Sequence, residues 1–146
     1  MSSFPRMLRH VQRFVTSVSA VLLATHAMCA WSQEIKVVLS GNQEIPPVAT
    51  SASGTGTITV TADKAVTGSV TITGMSVTVA HIHQAAAGTN GPIVVPLVKT
   101  SDTVWAVPPG TRLTDVQYES FKAGILYFNI HSEAYKSGEI RAQIKP

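Results

Sequence analysis

From Ile35 onward the chain alternates apolar and polar residues with the two-residue period of half-buried strands. Residues 35–39 form the first such run. After the break at Pro46 and Pro47, residues 56–61 and 66–73 alternate cleanly, with Ile58 and Val60 on one side of the first run and Val70 and Ile72 on one side of the second. Asp63 and Lys64 between them predict a hairpin. Further strands are predicted at residues 77–83, 93–98, 103–107, 125–131 and 139–144, in stretches rich in Val, Ile and Thr and bounded by Gly, Pro and Asp. Short strands at regular spacing predict an all-β, Greek-key-like β-sandwich or barrel.

One segment departs from this period. Across residues 114–123, Val116, Phe121 and the flanking Leu113 fall at roughly helical spacing. Thr114 followed by Gln117 fits a capping box, and Gly124 fits the stop. The pattern predicts one short helix between late strands, covering an open end of the sandwich.

The N-terminus is of another kind. Arg6, Arg9 and Arg13 form a positive region without acidic neighbours, and residues 14–30 are mostly apolar and end in small residues. Residues 1–32 are therefore expected to be a secretory signal peptide, leaving a single domain at 33–146 and an exported protein, periplasmic or secreted. Cleavage after Ser32 places Ala30 and Ser32 where small residues are wanted, whereas cleavage after Ala30 would use the bulky Met28. Met28 before Cys29 also argues against a lipoprotein signal. The apolar run is short of the about 20 residues that a membrane span needs.

Removing residues 1–32 takes three arginines and no acid, which turns 11 basic and 8 acidic residues into equal numbers. The domain then has no Lys/Arg stripe to attract nucleic acid or an acidic membrane. The single cysteine also goes, so neither disulfides nor thiolate chemistry are expected.

His81, His83 and His131 remain. His81 and His83 lie two apart in a predicted strand and share a face, with Ile82 pointing to the core. In residues 125–131, Leu126, Phe128 and Ile130 make the core face, and Tyr127, Asn129 and His131 the outer one. The three histidines are thus expected to meet on the outer face. Val77 and Val79 share the phase of His81, so a bulge or a chain reversal near Ala80 is expected. Three imidazoles with no thiolate suit copper first and zinc second. The plainer alternative is polar residues on a strand surface.

Other chemistries find less support. No Gly-x-Ser-x-Gly elbow occurs, and Gly54-Thr55-Gly56 and the stretch from Gly88 to Gly91 read as turns, not phosphate loops. Glu139 and Arg141 share a face of the last strand, where they are expected to form a surface ion pair worth about 0–1 kcal/mol. The functional alternative places Arg141 beside the histidines, attracting anions.

Five ordered motifs carry a family resemblance: Leu39-Ser40-Gly41-Asn42-Gln43-Glu44-Ile45-Pro46-Pro47-Val48, Ala80-His81-Ile82-His83, Gly88-Thr89-Asn90-Gly91-Pro92-Ile93, Gly124-Ile125-Leu126-Tyr127-Phe128-Asn129-Ile130-His131-Ser132 and Ser137-Gly138-Glu139-Ile140-Arg141-Ala142-Gln143-Ile144. Together they resemble the CHRD (chordin) domain over nearly all of residues 35–144. The resemblance implies a β-sandwich. The His-Ile-His and Asn-Ile-His pieces are also similar to the copper half of a copper/zinc superoxide dismutase site, which implies His81, His83 and His131 as ligands and Arg141 as the guide for an anionic substrate. The zinc half and the paired cysteines of that enzyme have no counterpart here.

Three functions follow as expectations: an exported copper-binding protein, a copper-only superoxide dismutase-like enzyme, and a structural or adhesive module without metal. Whether the chain forms a homo-oligomer or takes a protein partner is left open.

Overall fold

The computed structural model describes residues 33–146. The expected signal peptide lies outside them. Among the described residues, nine strands form one antiparallel sheet: Glu34–Ser40 (β1), Ser53–Val60 (β2), Val66–Thr73 (β3), Val77–Gln84 (β4), Ile93–Pro96 (β5), Val98–Lys99 (β6), Val104–Ala106 (β7), Leu126–Ser132 (β8) and Ile140–Ile144 (β9). Their order across the sheet is β5-β4-β8-β9-β1-β2-β3-β7-β6. The first and last strands of that order are separated in the chain by Leu97 alone, so one stretch touches both edges and almost closes a barrel.

The run expected as one strand at 93–98 is split for this reason. Pro96 has no N–H to extend a ladder, and Leu97 sends its side chain into the core while its N–H donates to Ala80 O at 2.9 Å. The chain then leaves β4 and pairs with β7.

The clean alternation of residues 53–73 has a direct counterpart in β2 and β3. Ile58, Val60, Val66, Val70 and Ile72 face the core. The opposite face carries the register pairs Ser53–Thr73, Thr55–Thr71, Thr57–Ser69 and Thr59–Thr67, so hydroxyls meet solvent. Gly54 and Gly56, expected in a turn, lie within β2 on its buried side instead. A Cβ on Gly56 would come 2.6 Å from Val70 Cγ1, so glycine lets the barrel wall close there.

The helix α1 spans Asp115–Lys122, and Thr114 and Gln117 make the reciprocal capping box expected of them. Phe121 and Leu113 enter the core, but Val116 is 70% exposed. Five residues at 3.6 per turn put Val116 about 140° round the helix from Phe121, and Tyr118 takes the inner face in its place. The hydrophobic centre is filled by Leu39, Ile58, Ile82, Phe128, Ile130 and Ile140, each worth about 1.5–3 kcal/mol of transfer free energy on burial.

Candidate metal centre

Strands β4 and β8 are neighbours in antiparallel register, with Val79 opposite His131, His81 opposite Asn129 and His83 opposite Tyr127. Side chains that point away from Ile82, Phe128 and Ile130 therefore collect on one face. Val79 does share the phase of His81 and is exposed, whereas Val77 packs against the core. The register shift that separates them lies between Val77 and Val79, just before the position expected near Ala80.

His81, His83 and His131 converge, each offering a ring nitrogen within 4.8 Å of the others. Nδ1 of His81 lies 3.3 Å from Nε2 of His131. Nδ1 of His83 donates to Gly91 O at 2.9 Å, and Nδ1 of His131 to Lys136 O at 3.0 Å. Each carbonyl accepts a proton, so each bond leaves the lone pair on Nε2. Among the described residues, Nε2 of His83 is buried and has no hydrogen-bond partner. Histidine ligands of metals are commonly oriented by a backbone carbonyl in this manner.

The electrostatics favour the neutral form of all three rings. Burial, followed by the neighbouring His131 and His83, pushes His81 down to about 4. Burial also lowers His83, with Arg141 adding to it, and lowers His131, with His83 adding to it; each is partly opposed by the ring's bond to a carbonyl. A neutral imidazole is the form that binds a metal.

The model of the CHRD domain matches residues 35–144. The chain belongs to the CHRD domain family. No curated protein and no solved structure matches it.

In this CHRD domain the histidine face is not an open outer surface. All seven residues of β8 are buried, with Asn129 2% and His131 7% exposed. The phase of the strand is as expected, but three connections fold across its outside. Residues 85–92 are held by Gln143 Nε2, which donates to Ala85 O at 3.0 Å, and by Arg141 Nη1, which donates to Asn90 Oδ1 at 3.2 Å. Residues 41–52 are tied by Thr50 Oγ1 to Glu139 Oε1 at 2.7 Å and by Asn90 Nδ2 to Ile45 O at 3.0 Å. Residues 133–139 bring Lys136 O to His131. Only His81 is half-exposed.

Arg141 and Glu139 do not form the expected surface ion pair. Both are buried, and Glu139 accepts from Thr50 while Arg141 stacks its guanidinium 3.5 Å over the ring of Tyr127. Arg141 is in register with Asn129, which is in register with His81, so the guanidinium lies on the histidine face, two strands away. The acid whose charge acts on it is one the sequence reading did not single out. Glu44 is buried, and burial raises its carboxyl to about 7 against the opposing pull of Arg141. Its position in the Gly41-to-Val48 motif was the available signal.

The site can hold one cation through three imidazole nitrogens. No carboxylate or thiolate joins the cluster among the described residues. That donor set suits copper, zinc, iron or nickel better than magnesium or calcium.

Proposed function

We propose that this CHRD domain is an exported metal-binding protein that holds copper, with zinc as second choice, through His81, His83 and His131. The observation that carries the reading is the bare, buried Nε2 of His83 beside the His81–His131 pair. Leaving a buried ring nitrogen unpaired costs about 1–3 kcal/mol, which a bound ion would recover. The 3.3 Å between Nδ1 of His81 and Nε2 of His131 also fits. That gap is less than twice the roughly 2.0–2.1 Å of a metal–imidazole bond, so one ion could reach both nitrogens. Nδ1 of His81 and Nε2 of His83 and of His131 are the ligand atoms on this reading. Without metal, Nδ1–H of His81 donates a hydrogen bond to Nε2 of His131, so loading requires the other tautomer of His81, protonated at Nε2.

Copper is preferred because an exported protein meets metals outside the cytoplasm, and copper(II) binds tightest to nitrogen donors. Elemental analysis of protein purified from its native compartment tests the proposal. One equivalent of copper is expected, and an empty site under copper-replete conditions would favour a structural or adhesive module.

The half-exposed His81 supports a second reading, a copper-only superoxide dismutase-like enzyme, because an accessible edge admits a small anion. Copper supplies the one-electron couple there. Arg141, on the same face, would attract the anion, and a turnover assay of the loaded protein separates this reading from storage or delivery.

A further inference from the structure

We infer that Tyr127 is a positioning residue for His83, acting through the backbone of Gly91. The inference rests on the three-histidine reading of the site. Tyr127 is buried, and its hydroxyl accepts the Gly91 N–H at 3.1 Å. The carbonyl of the same glycine accepts Nδ1–H of His83 at 2.9 Å. One residue of backbone thus joins the phenol to the imidazole. The two rings also stack, with centroids 5.1 Å apart and planes 16° from parallel.

The glycine has little freedom to move. A Cβ on Gly91 would come 1.9 Å from Gln84 O, so the backbone there is pressed against the end of β4. Gln84 N–H donates to Pro92 O at 3.0 Å and closes the loop on its other side. Tyr127 stands on β8 between His83 on β4 and Arg141 on β9, whose guanidinium covers its ring. The phenol is therefore fixed by packing, the glycine by the phenol, and the imidazole by the glycine. The result is a protonated Nδ1 and a bare Nε2 on His83 before any ion arrives. Without the hydroxyl, the Gly91 N–H loses its partner, and the residue whose carbonyl orients His83 is held by one hydrogen bond fewer.

The test uses protein carrying nitrogen-15 histidine, read by NMR without metal and then titrated with copper(II). In the wild type, His83 should show a protonated Nδ1 and an unprotonated Nε2. Tyr127→Phe keeps the stacked ring and removes the hydroxyl, so His83 should become a mixture of tautomers. Copper affinity should fall about ten- to a hundredfold, the usual cost of losing a partner that orients a ligand. Tyr118→Phe, which removes a phenol on α1, should change neither. If wild-type His83 carries its proton on Nε2, the inference is overturned whether or not the variant folds. Unchanged tautomer and affinity in Tyr127→Phe would overturn it while leaving the metal site standing. A wild type that takes no copper but shows the tautomer change would support the relay and remove the metal reading instead.

Discussion

Acid should remove copper from this site much less readily than from three ordinary histidines. At the usual pKa of about 6.5, each imidazole is about nine-tenths protonated at pH 5.5, so three of them would lose about a thousandfold in affinity between pH 7.5 and 5.5. Here His81 is lowered to about 4, which leaves it almost wholly neutral at pH 5.5, and burial lowers His83 and His131 in the same direction. The loss over that interval should therefore stay below about a hundredfold, since His81 contributes almost none of it and the other two rings each contribute less than their tenfold. The weakening that His81 contributes should come only as pH falls further, towards 4. Competition titrations with a chelator, corrected for the protonation of the chelator itself, measure this at each pH. A thousandfold loss by pH 5.5 would refute both the neutral-ring argument and the burial on which it rests.

His81 should follow the same sign in the metal-free protein. Folding prefers neutral His81, so its contribution to stability should be lost as pH falls from 6.5 towards 4. Glu44, raised to about 7, works in the opposite sense, because the folded state binds its proton first. Thermal midpoints of the wild type and His81→Ala isolate the histidine, and a variant midpoint that falls as steeply as the wild type's would contradict the assignment. Phe128→Ala should cost about 3–5 kcal/mol in denaturant unfolding, because Phe128 is fully buried between Ile82 on β4 and Ala142 on β9. A cost under about 1 kcal/mol would place Phe128 on a surface. N-terminal sequencing of exported protein should begin between Trp31 and Glu34, and an intact Met1 would remove the signal peptide from the account.

The fold was legible wherever one face of a strand is buried and the other wet. In β2 and β3 the apolar positions and the hydroxyl positions alternate without exception of type, apart from the glycines. The helix was legible through Thr114 and Gln117, whose chemistry is local, although Val116 was assigned to the wrong side. Closure of the barrel was not legible, since it depends on Leu97 leaving one strand partner for another, and Pro96 marks a break in the ladder without showing which partner follows it. The burial of Tyr127, Asn129 and Arg141 was hidden for a related reason. A strand's alternation tells which side chains share a face, but not whether distant loops cover it.

The histidine cluster stands between these cases. His81 and His83 share a face by their spacing alone, but His131 lies 50 residues away from His81 and joins them only because β4 and β8 pair. The family motifs carried that juxtaposition. The two carbonyls that orient His83 and His131 belong to Gly91 and Lys136, and backbone acceptors leave no mark in residue type.

The most direct test of the central claim is copper(II) titration of the wild type and of His81→Ala, His83→Ala and His131→Ala, with fold checked by circular dichroism. The wild type should bind one equivalent, and each folded variant should bind far more weakly. Undiminished binding by the His131 variant would contradict the three-histidine site.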